Sequence, residues 1–336
     1  MKVLLPALLA GLASAQSWIP HESGVSVSLR GVSALSRNVI WASGAAGTFL
    51  VSKDAGATWR NGKVPGASAL DFRDVHAVDD RTGYLLSSGP GDKSRIYKTT
   101  DAGAHWTLQF TNADPQGFFD AFGFWDSRRG IVLGDPVSGT FAILTTQDGG
   151  AHWTKQHGPP ALPGEGAFAA SGTCIIVIGK HECWFATGGP GGARVFHSND
   201  RGVSWTVSPT PLRNDAASAG IFSLGFSDAL RGVAVGGDYT KVGDGTRNVA
   251  VTTDGGKTWS DPRGAHPGGY RSAVAFVPSR PAWIAVGTSG SDISTDGGES
   301  WKSFDTSAYN AVSFAPDGSG WAVGPGGKIA EFRDKR

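Results

Sequence analysis

The sequence predicts an all-β fold: a single seven-bladed β-propeller of four-stranded antiparallel blades, with a six-bladed ring as the alternative. Three observations carry this. A short motif recurs six times at intervals of 42 to 54 residues, a period at which each unit buries its apolar face only against its neighbours. Short alternating apolar segments fill the intervals, and no long stretch keeps helical periodicity with start and stop signals. The 336 residues include 50 Gly and 12 Trp, the balance of a chain made of tight turns and regularly placed aromatics.

The copies run Ser52 to Trp59 (SKDAGATW), Thr99 to Trp106 (TTDAGAHW), Thr146 to Trp153 (TQDGGAHW), Ser198 to Trp205 (SNDRGVSW), Thr252 to Trp259 (TTDGGKTW) and Ser294 to Trp301 (STDGGESW). Each reads as a hairpin turn. The Asp carboxylate accepts backbone N–H bonds across the turn. The Gly two residues on takes positive φ at no steric cost. The Ser or Thr two before the Asp ends the incoming strand and bonds locally. The Trp opens the outgoing strand and packs between sheets. Folding alone explains these residues, so Asp54, Asp101, Asp148, Asp200, Asp254 and Asp296 are structural rather than catalytic.

Each interval holds four short strands when one starts at the Trp, as in Asp74–Val78, Tyr84–Leu86 and Arg95–Tyr97 of the second unit. After Trp301 the chain writes three more, Ala311–Phe314, Gly320–Val323 and Lys328–Phe332, and then ends. Trp18 lies one blade before Trp59 with no motif ahead of it. The segment around Trp18 is therefore the missing outer strand of the last blade, and closure removes the exposed edges of an open sheet. The blades are expected at 29–66, 67–114, 115–162, 163–214, 215–266, 267–306 and 307–336 plus 16–28.

Residues 1–15 read as a signal peptide: Lys2, an apolar run from Val3 to Leu12, and Ala13-Ser14-Ala15 as a cleavage site. The run is too short for an ordinary membrane span. The expected mature domain, 16–336, is thus exported, periplasmic or secreted, and not membrane-spanning after cleavage. In such a compartment Cys174 and Cys183, flanking a predicted hairpin, are either disulfide-bonded or two free thiols. The net charge of +1 argues against a nucleic-acid or anionic-membrane surface. Nucleophile elbows, zinc-ligand spacings, phosphate loops and cofactor fingerprints are all missing, so no metal and no cofactor is expected.

Aligning the blades places an aromatic or Leu at the start of each innermost strand, followed by a variable residue. The pairs are Leu29-Arg30, Phe72-Arg73, Phe119-Asp120, Phe168-Ala169, Phe222-Ser223, Tyr270-Arg271 and Tyr309-Asn310. The variable column should point into the central channel. Arg30, Arg73 and Arg271 would converge there as an anion site, because guanidinium forks match carboxylates and phosphates. The alternative is that they pair with Asp74, Asp120 and other acids as channel salt bridges. Asp120, Asn310 and Asp238 complete the candidate ligand-binding set. Asp120, Glu165 and Asp135 are the candidate catalytic acids, whose separation would decide retaining or inverting chemistry.

The repeated motif resembles the Asp-box, or BNR, repeat of sialidases, sortilin-type receptors, some glycoside hydrolases and the photosystem II assembly factors related to Ycf48. The resemblance covers nearly the whole predicted mature chain. It implies the propeller fold, which hosts many activities. Likeness to the Ycf48-related branch implies a non-catalytic, monomeric binding or assembly factor. Such a protein would hold a protein partner or a membrane-protein intermediate against the Arg-bearing face. Likeness to sialidases implies the alternative, a carbohydrate-active hydrolase or lyase acting on an acidic glycan. Its three arginines would bind a substrate carboxylate, beside a Tyr–Glu nucleophile pair and an acid/base Asp. On this alignment Tyr270 falls in the packing column, facing away from the channel.

Overall fold

The computed structural model describes residues 16–334. The expected signal peptide lies outside the described residues. In all six motif copies the Ser or Thr hydroxyl donates to the Asp at 2.7–3.0 Å. The same hydroxyl accepts the N–H of the motif's fifth residue, a Gly, at 2.7–3.0 Å. The Asp then accepts the N–H of the residue four further on at 2.8–3.0 Å. Those bonds fall on Oδ1, and the side chain of that same residue four further on takes Oδ2, so both carboxylate oxygens are engaged by the turn. In the third copy the His152 N–H and then its ring hold the Asp148 carboxyl down at about 2.

The fifth motif residue must be Gly for two reasons. At Gly56 φ is 76°, and the turn packs so closely on the preceding blade that a Cβ would sit 2.2 Å from the Trp321 ring. Neighbouring blades also hydrogen-bond through these turns. The Tyr84 hydroxyl donates to the Gly149 carbonyl at 2.7 Å, and the Trp184 indole donates to the Gly255 carbonyl at 2.8 Å.

Seven antiparallel sheets follow one another along the chain. In the first, Leu29–Ala34, Ile40–Gly44, Thr48–Ser52 and Arg60–Lys63 run from the channel outward. The last has the order Gln16–His21, Ile329–Asp334, Gly320–Val323, Ala311–Phe314, so the N-terminal strand is its outer strand. The register runs from Gln16 opposite Asp334 to His21 opposite Ile329. Apolar packing forms seven clusters, each built from two adjacent blades, such as Trp41 with Phe72 and Leu85, or Val233 with Val274 and Trp283. Among the described residues no helix is long and apolar enough to cross a membrane.

The fifth sheet departs from the pattern, with three named strands. Its outer strand shrinks to the bridge between Val251 and Ser260. Pro262 stands two residues on, where the ladder would next need an N–H donor, and proline has none.

The disulfide alternative fails. Cys174 and Cys183 are both free and buried. The hairpin register places Cys183 opposite Val177, while the Cys174 carbonyl accepts the Ala186 N–H, so the two cysteines are offset along the ladder. Burial pushes the Cys183 thiol up to about 12, which makes it inert.

Trp18 is 6% exposed, donates to Ser291 Oγ at 3.0 Å, and has the Tyr309 and Phe332 rings each at 5.3 Å. The closing strand is thus fastened to the sixth blade as well as the seventh. Trp18→Ala should cost about 3–5 kcal/mol, the usual range for removing a buried Trp, read as a lower denaturation midpoint.

Candidate functional site

A β-bulge builds the channel mouth. In the first three inner strands the register skips one residue, between Leu29 and Gly31, Phe72 and Asp74, and Phe119 and Ala121. The skipped residues are Arg30, Arg73 and Asp120. A bulged residue leaves the ladder and its side chain is re-aimed, here into the channel. In the fifth blade the skip falls between Ile221 and Ser223, so the bulged residue is Phe222.

The expected alignment was therefore one residue out in two blades. Gly44 packs on Ser28 O and Leu29 Cα, Gly236 on Gly220 O and Ile221 Cα, and Gly287 on Tyr270 O and Arg271 Cα. These glycines make Ile221 and Arg271 the counterparts of Leu29, in the packing column. Phe222 and Ser272 are the counterparts of Arg30. Ser223 is buried, and its hydroxyl accepts the Val274 N–H at 2.9 Å.

Arg271 accordingly leaves the expected arginine trio. It is 1% exposed and forms a buried ion pair with Asp292, Nε to Oδ2 at 2.5 Å. Its Nη1 donates to Tyr270 O and Ser289 Oγ, each at 2.8 Å. Glu165 also leaves the site, since its side chain is fully buried. It accepts from Arg194 Nε at 2.9 Å, Thr187 Oγ1 at 2.6 Å and the Leu162 N–H at 2.8 Å. Asp238 closes its own turn by accepting the Thr240 N–H and hydroxyl at 2.9 and 2.6 Å. None of the three lines the cavity at the channel mouth.

That cavity, of about 440 Å³, is lined by Arg30, Arg73, Asp120, Asp135 and Asn310, with an aromatic wall of Phe118, Phe168, Phe222, Tyr239 and Tyr270. Tyr270 therefore faces the channel, against expectation. The Phe168 and Phe222 rings stack at 3.8 Å, and Tyr270 meets Phe222 edge-on at 4.8 Å. Burial holds the Tyr270 phenol well above its ordinary range. The Asn310 amide donates to Leu29 O at 2.7 Å and so joins the last blade to the first.

Both cavity arginines reach across the channel to one acceptor. Arg30 Nη2 and Arg73 Nη1 approach the Ala169 carbonyl at 3.4 and 3.1 Å. Arg73 also pairs with Asp71 at 2.9 Å. Among the described residues Arg30 has no carboxylate within ion-pair distance, and its buried Nε has no hydrogen-bond partner. Burial and then Arg73 lower the Arg30 guanidinium from its ordinary value. Opposite them, Asp120 is 1% exposed, and burial followed by the Asp135 charge pushes its carboxyl well above the usual range. Asp135 accepts the Ala167 N–H at 2.9 Å, and burial raises its carboxyl to about 6.

Sequence reasoning missed Phe118, Tyr239 and the bulge position of Phe222. The glycines in or just after the second strands, Gly44, Gly134, Gly236, Gly287 and Gly324, were a usable signal, because each lies against the start of its inner strand and so marks that strand's register.

Fold and turns together define a seven-bladed Asp-box β-propeller. The BNR/Asp-box repeat profile matches residues 250–261, around the fifth motif copy. Among solved structures the chain is similar to Ycf48 bound to a D1 peptide, at 16% identity over 97% of this chain and 99% of that one, TM-score 0.65. It is similar to Ycf48 from Cyanidioschyzon merolae, at 16% identity over 95% and 99%, TM-score 0.64. It is also similar to a GH74 enzyme of Niastella koreensis, at 16% identity over 93% of this chain and 53% of that one, TM-score 0.61. At these identities the likeness is one of fold. No curated protein matches the sequence.

Two outcomes follow from this geometry. Arg271→Ala should destabilise the domain by about 3–5 kcal/mol, because it strands a buried carboxylate, whereas Arg271→Met with Asp292→Leu should recover most of the loss; denaturant titration reads both. Asp135, with its folded value raised, contributes stability that is complete below the ordinary carboxylate range and is lost as pH rises through about 6. Asp135→Asn should therefore stabilise the protein relative to wild type at pH 7.5 but not at pH 4. The gain should be on the order of 1–2 kcal/mol, less than the full shift because Asp135 keeps some water; melting temperatures across that range check it.

Proposed function

We propose that this protein is an exported, monomeric and non-catalytic partner-binding propeller of the assembly-factor type. It takes an anionic group of a protein partner, such as an acidic side chain or a terminal carboxylate, on Arg30 and Arg73. The observation that carries this is the pair of adjacent guanidiniums in a cavity. Among the described residues Arg30 has no carboxylate partner, and both arginines spend their cross-channel donors on one neutral carbonyl, that of Ala169. A carboxylate would be the stronger acceptor for these donors. The aromatic wall offers the apolar contact that a peptide segment needs around such an anchor. A propeller of the same fold, Ycf48, is known bound to a D1 peptide.

A second reading, a carbohydrate-active hydrolase, draws on one observation: Asp120 and Asp135 face the same cavity, and the Asp135 charge helps raise the Asp120 carboxyl. The sialidase form of that reading needs a third arginine and a Tyr–Glu pair. Arg271 is spent on Asp292, and no Glu lines the cavity beside Tyr270.

The test is affinity capture from envelope and membrane extract with tagged protein, comparing wild type with Arg30→Ala, Arg73→Ala of matched melting temperature. The expected outcome is a partner captured by wild type and lost by the double variant. A partner retained by the variant, or release of sugar from acidic glycans by wild type, would overturn the proposal.

A further inference from the structure

The cavity has two electrical poles, and the proposed function uses only one. Arg30 and Arg73 come from the first two blades, and Asp120 and Asp135 from the third. Arg73 is close enough to bias the charge on Asp120, yet neither arginine hydrogen-bonds to either acid. Arg73 gives its Nε to Asp71 and its Nη1 to Ala169 O. Asp120 is 1% exposed, lines the cavity, and has a buried Oδ2 with no hydrogen-bond partner. A buried acceptor left in that state is costly. Something that donates a hydrogen bond belongs against it.

We infer that Asp120 and Asp135 form a subsite for a basic side chain, a lysine ammonium or an arginine guanidinium, adjoining the anion held by Arg30 and Arg73. This rests on the reading of the protein as a peptide binder. A purely anionic ligand leaves Asp120 Oδ2 unpaired and pushes the two carboxyls still further from their charged form. A purely apolar ligand buries that oxygen more deeply without a donor. A group carrying N–H donors and positive charge satisfies both demands. The aromatic wall suits the same group: Phe222 and Tyr270 can cover an alkyl stem, and ring faces attract organic cations. The cavity, about 440 Å³, falls in the size range of small-ligand sites and so holds one or two side chains rather than a folded surface. A metal ion does not fit, because no group of three or more His, Cys, Asp or Glu is placed to hold one among the described residues. The ligand is therefore a peptide segment in which a basic residue stands next to an acidic residue or the chain terminus.

The experiment is an array of peptides with free C-terminal carboxylates, synthesised in pairs that differ only by lysine or its uncharged isostere norleucine near the terminus. The full chain is the probe. Wild type should prefer the lysine member of a pair by about ten-fold, the scale of one charged hydrogen bond. The ratio should fall toward one in Asp120→Asn, and part of the way in Asp135→Asn, which is the backup should the first variant fold poorly. Equal binding of lysine and norleucine members to wild type overturns the subsite and leaves the peptide reading standing. A lysine preference that survives in both Asn variants overturns it too. If wild type binds no peptide of either kind, the peptide reading falls and this inference with it.

Discussion

Every blade here is half of two interfaces and the whole of none. Each apolar cluster takes residues from two adjacent sheets, so no sheet carries a core of its own. Burial of apolar area is the main favourable term in folding, and in this chain it exists only between neighbours. The motif turns follow from that constraint. Their hydrogen bonds fix the hairpin, and Gly56 lets the turn lie directly on the Trp321 ring of the blade before it. The hydrogen bonds from Tyr84 and Trp184 to the next blade's turn serve the same end. Local turn chemistry and long-range packing are two sides of one contact.

The channel mouth inherits its chemistry from a small departure within that regularity. A ladder that paired every residue would point side chains alternately into the two blade interfaces. The one-residue bulge frees a side chain from both, which is why the bulge position can hold arginine, aspartate or phenylalanine without disturbing the core. Arg271 shows the other side of the rule. It occupies the packing column, where a charge survives only with a full set of partners, and Asp292, Tyr270 O and Ser289 supply them. One residue of register separates a side chain available to a ligand from one sealed in the wall.

Much of the architecture was legible because it is written in local signals. The six turns identify themselves by residue type, and Trp18 sits one period early. The short fifth sheet was also readable in principle, from Pro262. The site was less legible because its defining quantity is register, which no aromatic position reports reliably. Phe222 looked like the packing residue of its pair and is the bulge. Tyr270 precedes an arginine, as Phe72 does, yet in Tyr270-Arg271-Ser272 it is the serine that lines the cavity. Glu165 stood among the candidate catalytic acids and Asp238 in the candidate ligand-binding set, but each is consumed by partners within its own surroundings, Arg194 for one and the Thr240 turn for the other. Charge in a sequence shows that a residue needs a partner, and only the fold shows whether the protein already supplies it.

The closing strand also sets a timetable. Gln16 pairs with Asp334, 318 positions further along the chain, so the contact that completes the ring joins the first strand described to the last. Loop closure on that scale is slow, and chains dominated by such contacts fold late. During synthesis the outer strand emerges well before the neighbour it pairs with. Until then the seventh interface has no second half, and Trp18 has neither Tyr309 nor Phe332 to pack on. A nascent chain of this kind stays an open arc until its seventh blade has been made and only then becomes a ring.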